Sequence, residues 1–171
     1  MMSASSSHNT IGSADLSHWV RRANRAVGVL SPLWLAQLVL RFGLAVPFFR
    51  SGMSKWDGFL QLNDVAVLLF SSEFKLHLPG GPYPYPAPEI MAFAAGSAEI
   101  LLPILLVLGL ATRFAALGLL VMTIVVQLTV PDGWPIHITW AAMALGIMAS
   151  GPGKLSLDRL LCAWHGGPQK S

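Results

Sequence analysis

An apolar stretch of 21 residues, from Ile90 to Leu110, places the strongest constraint on how this chain can fold. A helix needs about 20 apolar residues to cross a bilayer, so the stretch is long enough to be a membrane span. It carries one ionisable side chain, Glu99, near its middle. A carboxylate at that depth costs about 2.5–3.5 kcal/mol on insertion scales. Glu99 is therefore predicted to face other helices and either to pair with a cation or to be protonated.

The composition of the whole chain also favours a membrane protein. Of its 171 residues, 54% are hydrophobic and only 11% are charged, whereas soluble domains carry about 25% charged residues. The formal net charge is +3, and no basic stripe is present, so a nucleic-acid partner is not expected. The expected surrounding is the lipid bilayer. The single cysteine, Cys162, excludes an intrachain disulfide and a cysteine-based metal cage.

The apolar runs predict an all-α membrane protein that forms an antiparallel bundle of four transmembrane helices. The predicted spans are about 33–49, 90–110, 114–130 and 134–150. Short connections between the last three spans make neighbouring helices antiparallel. A long outer loop separates the first two spans, and its proline- and glycine-rich part, Leu78 to Pro88, is predicted to be an extended, turn-rich cap.

The distribution of Lys and Arg predicts that both termini lie in the cytoplasm, because basic residues accumulate on the inner side. Seven basic residues lie on that side, against three on the outer side. The expected organisation is a cytoplasmic tail with an amphipathic helix over residues 1–31, a membrane domain over 32–160, and a second cytoplasmic tail over 161–171. The first 14 residues are small and polar, and disorder is expected there.

The amphipathic helix is predicted from Asp15 onward. Apolar residues recur there at helical spacing, and Arg21, Arg22 and Arg25 lie between them. This pattern is typical of a helix that lies on an anionic membrane surface with its apolar side down. The alternative is a polar tail whose periodicity arises by chance.

Arg41, in the first span, is the only other charged residue inside a comparable apolar run. At a rise of 1.5 Å per residue, Arg41 and Glu99 both lie near the middle of the membrane if their helices are antiparallel. They are therefore predicted to form a charge pair. In a functional interpretation, Glu99 handles protons at a buried polar site and Arg41 is its charge partner. In a structural interpretation, the pair only fixes the register of the helices.

Four further residues are predicted to contact a small ligand: His137, Gln127, Lys55 and Trp134. They surround the outer ends of the spans, above Glu99, where histidine can shuttle protons and glutamine can bond a carbonyl. The alternative is that His137 and Gln127 join neighbouring helices and that Lys55 extends to the interface. No histidine pair has metal-ligand spacing, so no metal site is predicted. No cofactor can be assigned with certainty from these residues.

Six short motifs occur in order along the chain. They are Arg41-Phe42-Gly43, Ser51-Gly52-Met53-Ser54-Lys55, Ala98-Glu99, Gly109-Leu110-Ala111-Thr112-Arg113, Trp134-Pro135-Ile136-His137 and Gly151-Pro152-Gly153-Lys154-Leu155-Ser156-Leu157-Asp158. In this order and spacing they resemble the DoxX family of small bacterial membrane proteins. The resemblance covers about residues 33–160 and implies a four-helix protein of the bacterial inner membrane.

The resemblance also suggests membrane redox chemistry, since the family is named after a subunit of a thiosulfate:quinone oxidoreductase. The function expected from it is a membrane subunit that supports a quinone-linked oxidoreductase through a buried site for a quinone or similar small ligand. Its partner would be a redox protein or a second copy of the chain. The alternative is a non-enzymatic component of a metal or oxidative stress response, or an assembly scaffold. A transporter is a third interpretation, which would require oligomerisation because four spans are few.

Overall fold

A computed structural model describes residues 11–164, with side chains from residue 17 onward. This part of the chain is mostly helical. Its helices are α1 (Ile11–Leu30), α2 (Leu33–Met53), α3 (Asp64–Leu68), α4 (Pro88–Leu108), α5 (Thr112–Thr129), α6 (Trp134–Ser150) and α7 (Leu157–Trp164). By length and composition, α2, α4 and α5 can cross a membrane. The disorder predicted for residues 1–14 falls largely outside the described residues, but residues 11–14 begin α1.

Local chemistry accounts for the ends of the long helices. Pro32 precedes α2, and Pro88 opens α4 at a position where a missing N–H costs nothing. Gly109 ends α4 with a left-handed backbone, φ +69°, which glycine adopts without a Cβ clash. The helix α2 continues four residues past the predicted end at Phe49, so it delivers Ser51 and Gly52 to the side of α4.

The helices α2, α4, α5 and α6 pack side by side as an antiparallel bundle, as the sequence predicts. Gly52 at the end of α2 lies against the backbone of Glu99, whereas Arg41 near its start lies against Gly109 at the end of α4. The same reversal holds between α2 and α6, where Gln37 donates a hydrogen bond to the Ser150 carbonyl. A three-residue turn connects α4 to α5. A 3-10 turn, Pro131–Gly133, connects α5 to α6.

The core of the bundle is apolar and closely packed. It contains the large side chains of Leu44, Phe48, Leu106, Leu119 and Ile147, with alanines from α5 and α6 between them. Small residues allow the helices to approach one another closely. Such packing is usual in membrane helices, because the hydrophobic effect does not drive association between helices that lie in lipid. This core occupies the middle of the bundle and divides its two polar ends.

The long segment between α2 and α4 forms a cap that the sequence predicted only in part. It contains one small hairpin of β1 (Trp56–Gly58) and β2 (Gln61–Leu62), and a second of β3 (Lys75–Leu78) and β4 (Gly81–Pro84). Between the hairpins, α3 runs into a π-helical turn, Leu69–Glu73. The second hairpin lies against α5, where the His77 ring contacts the Leu128 carbonyl at 3.0 Å. We call this end of the bundle the hairpin end.

The opposite end, which we call the α7 end, is closed by the segment that follows α6. Gly151 and Gly153 both have positive φ and turn the chain away from α6. The Asp158 N–H then donates to the Gly109 carbonyl, which ties the start of α7 to the end of α4.

Candidate functional site

A cavity of about 390 Å³ opens at the hairpin end, between α4 and α5. Its walls are mainly apolar and aromatic. Phe70 and Phe74 come from the π-helical turn and the residue after it, and Met91, Met122 and Val126 come from α4 and α5. The volume is in the range of small-molecule sites, which are generally apolar with a few polar groups that fix the ligand's orientation.

An ion pair provides the charged part of the cavity wall. Lys55 Nζ lies 2.5 Å from Glu99 Oε2, and the two side chains are only 13% and 5% exposed. Lys55 also contacts the Ser51 carbonyl at 3.2 Å and the Ser51 hydroxyl at 3.0 Å, so each of its three N–H groups has an acceptor. Among the described residues, Glu99 Oε1 has no hydrogen-bond partner. A carboxylate oxygen is therefore available to a hydrogen-bond donor on a ligand.

A second polar contact closes the cavity toward the hairpins. The hydroxyls of Tyr85 and Thr129 are 2.6 Å apart. Thr129 donates its only hydroxyl hydrogen to the Val125 carbonyl, at 2.8 Å, so Tyr85 is the donor in the contact between the two side chains. The Tyr85 ring packs on Phe70 and the side chain is buried. Sequence reasoning did not assign Tyr85 or Thr129 to a site, because they are 44 positions apart and neither is charged.

The predicted pairing of Arg41 with Glu99 is wrong. Arg41 Nη1 lies close to Gly109, ten residues and thus about 15 Å along α4 from Glu99. Side chains on a helix lean toward its N-terminus, and the N-termini of α2 and α4 are at opposite ends of the bundle. The two side chains therefore point away from each other, even though their positions along the helices suggest a common depth. The cation that Glu99 pairs with is Lys55.

Arg41 instead belongs to a polar cluster at the α7 end. It is buried, and its Nη1 donates to the Leu155 carbonyl at 2.9 Å. Asp158 accepts from the Ala111 N–H at 2.7 Å, and from the Thr112 N–H and hydroxyl, each at 2.9 Å. Burial alone raises the pKa of Asp158, but these hydrogen bonds and the Arg41 charge bring it below its usual value. The cluster caps the start of α5 and holds α7 in place.

His137 and Gln127 meet each other but do not line the cavity. His137 Nδ1 is 2.7 Å from Gln127 Oε1, and the Gln127 amide donates to the Pro131 carbonyl at 3.0 Å. The imidazole is buried and packs on Trp140. This contact joins α5 to α6 and agrees with the interpretation in which both residues bond neighbouring helices. Trp134 is 56% exposed and is also absent from the cavity wall.

Of the six predicted site residues, the structure thus brings only Lys55 and Glu99 together in the cavity. Within residues 11–164 there is no group of three or more His, Cys, Asp or Glu residues that could hold a metal ion.

Comparison with known proteins gives the family. The model of the DoxX family matches residues 36–132, which include Arg41, Lys55, Glu99 and the cavity wall. The chain is also 33% identical over 136 residues to an uncharacterised protein of Haemophilus influenzae, over 72% of this chain and 82% of the relative. No solved structure matches. With three described helices able to span a bilayer, the chain is a multi-pass membrane protein that belongs to the DoxX family.

Proposed function

We propose that this protein is a bacterial inner-membrane subunit that binds a small amphipathic ligand, such as a quinone, and supports a partner oxidoreductase. The observation that carries the proposal is the ion pair between half-buried Lys55 and buried Glu99 in the wall of an apolar cavity. Intramembrane ionisable residues are costly and are generally functional. An apolar cavity with one charged pair suits a ligand that has a polar head and an apolar body.

The residues of the cavity fit the polar head of a reduced quinone. A bound quinone supplies two-electron, two-proton redox chemistry. Lys55 is already saturated with acceptors, so the free charged group is the Glu99 carboxylate, which accepts a hydrogen bond from a ligand hydroxyl. The Ser51 hydroxyl, which lines the same wall, can donate to that ligand oxygen. Lys55 holds the carboxylate in position, and the aromatic side chains exclude water.

The test is to identify small molecules retained by the protein purified in native lipid, for wild type and Glu99→Gln. We expect near-stoichiometric quinone in the wild type and loss of most of it in Glu99→Gln. We also expect a hydroxyl-bearing reduced analogue to bind more tightly than its oxidised form, because only the former donates to Glu99. Glu89→Gln makes the same chemical change at an exposed position on the same helix and serves as the control.

Three outcomes would contradict this function. Equal retention of quinone in Glu99→Gln would remove Glu99 from the mechanism. Retained metal without quinone would favour the metal or oxidative stress response, and nothing bound in any sample would favour an assembly scaffold.

The proposal includes four spans, with α6 as the fourth and both termini in the cytoplasm. At 17 residues α6 is about 26 Å long, a little shorter than the roughly 30 Å hydrocarbon core, and it packs against α2 and α5. The α7 end would then be cytoplasmic, in agreement with the concentration of basic residues there.

The exposed Cys162 on α7 allows this topology to be tested directly. A membrane-impermeant maleimide is expected to label it in inside-out vesicles and not in intact cells. A Cys162→Ser protein that carries Phe59→Cys, at an exposed position between β1 and β2, should show the opposite result. Labelling of both positions from the same side of the membrane would contradict four spans.

A further inference from the structure

The exposed face of α7 is apolar. Leu157, Leu160, Leu161 and Trp164 follow the spacing i, i+3, i+4 and i+7, which puts them on one side of the helix. All four are exposed, and Trp164 is 87% exposed. A stripe of large apolar residues at an exposed helix surface is typical of a helix that lies in the membrane interface.

The position of α7 along the bundle is fixed by its other side. Asp158 accepts from the backbone of Ala111 and Thr112, and its own N–H donates to the Gly109 carbonyl. These bonds place α7 at the level of the turn between α4 and α5. Both helices are long and apolar enough to cross the membrane, so this turn is where the chain leaves the hydrocarbon. The apolar stripe therefore lies at the depth of the headgroups and the first acyl carbons.

A groove of about 490 Å³ runs between α7 and the end of α4. Lys154 and Arg159 supply cations to its wall, whereas Leu108, Leu160 and Ala163 supply apolar surface. The side chains of Lys154 and Arg159 have no hydrogen bond or ion pair within the described part of the chain. The nearby carboxylate, Asp158, is already committed to the α5 N-terminus and to the Arg41 charge. The groove thus has two free positive charges next to an apolar wall that continues onto the surface of α4.

We propose that this groove binds the headgroup of an anionic phospholipid. Its phosphate would lie between Lys154 and Arg159, and its acyl chains would follow Leu108 and Leu160 toward the bilayer. Basic pockets beside membrane helices are a recognised mode of binding for anionic headgroups. The charge complementarity selects an anionic lipid, and the apolar wall selects a lipid over a free phosphate ion. This site is independent of the Lys55–Glu99 cavity at the other end of the bundle.

The test uses the full chain purified in detergent and reconstituted into nanodiscs that contain phosphatidylglycerol and phosphatidylcholine in equal amounts. Native mass spectrometry then gives the phospholipids that stay bound. The wild type is expected to retain about one phosphatidylglycerol in preference to phosphatidylcholine. The double variant Lys154→Gln/Arg159→Gln should bind it on the order of 30-fold more weakly, because two basic contacts are lost.

The matched control is Arg50→Gln/Lys75→Gln, which removes two exposed positive charges at the hairpin end and leaves the groove intact. It should retain phosphatidylglycerol like the wild type. Equal retention of both lipids by the wild type, or unchanged retention by the groove variant, would overturn the proposal. An equal loss in the hairpin-end control would assign the effect to total charge and would also overturn it. Displacement of the lipid by inorganic phosphate at millimolar concentration would show that the apolar wall contributes nothing, and the lipid site would be wrong.

Discussion

Replacing Glu99 by leucine while Lys55 stays in place is expected to lower the free energy of unfolding by about 3–5 kcal/mol. The substitution leaves the Lys55 ammonium, whose side chain is only 13% exposed, beside an apolar side chain and with only Ser51 as its acceptor. The cost comes from the charge that stays behind, since a charge largely removed from water and without an ionic partner loses hydration and gains little in return. Unfolding of the reconstituted protein by a denaturing detergent measures the change.

The double variant Lys55→Met/Glu99→Leu separates the charge from the shape of the site. Both charges are then gone, and the replaced side chains have similar volumes, so stability should return to within about 1 kcal/mol of the wild type. Ligand binding should not return, because the polar group is missing. Lys75→Met, which changes an exposed lysine, is the control for charge loss alone. A double variant as unstable as Glu99→Leu would show that Lys55 and Glu99 do not act on each other.

Gly52→Ala is expected to destabilise the protein by about 1–3 kcal/mol, the usual cost of overpacking a core. A Cβ at this position would lie 2.9 Å from the Glu99 carbonyl carbon and 2.9 Å from Ile100 Cγ1. The first of these atoms belongs to the backbone of α4, so α2 and α4 must separate to accept the methyl group. Lys55 lies two residues beyond the end of α2. A shift of α2 therefore also moves the Lys55 ammonium relative to the Glu99 carboxylate and should weaken ligand retention.

Gly146→Ala is the matched control for this experiment. The added Cβ would meet only Leu40 Cδ1, at 3.5 Å, which is ordinary contact. Alanine is also favoured over glycine inside a helix by about 1 kcal/mol, so Gly146→Ala should be neutral or stabilising. If Gly52→Ala behaved in the same way, the close approach of α2 and α4 would not limit the packing of the bundle.

The need of Glu99 for a cation could be predicted from the sequence, because it follows from the cost of a charge in an apolar run. The identity of the cation could not. Lys55 lies beyond the predicted end of the first span, and only the continuation of α2 to Met53 brings it over the carboxylate. The prediction of Arg41 as the partner used positions along the helices and ignored the direction in which each side chain leans.

The cap at the hairpin end shows a second limit of sequence reasoning. Proline and glycine correctly excluded a helix from Leu78 to Ala87, since both residues act locally, whereas Pro88 opens α4. The pairing of β3 with β4 and the contact between Tyr85 and Thr129 depend on tertiary packing, which leaves no periodic signal in the sequence. Asp158 lay within a motif that resembled the family, yet its role as the cap of α5 became visible only in the structure.

The apolar core between the two ends has a consequence for the direction of proton exchange. Leu44, Phe48, Leu106 and Leu119 are at most 2% exposed and separate Glu99 from the Arg41–Asp158 cluster. A hydrogen-bonded path from the cavity to the α7 end would have to cross this layer, whose side chains carry no hydrogen-bonding group. If a quinone binds in the cavity as proposed, its protons would therefore be exchanged at the hairpin end only. Under the proposed function, oxidation and reduction of the ligand would move protons on one side of the bundle and would not open a proton path through it.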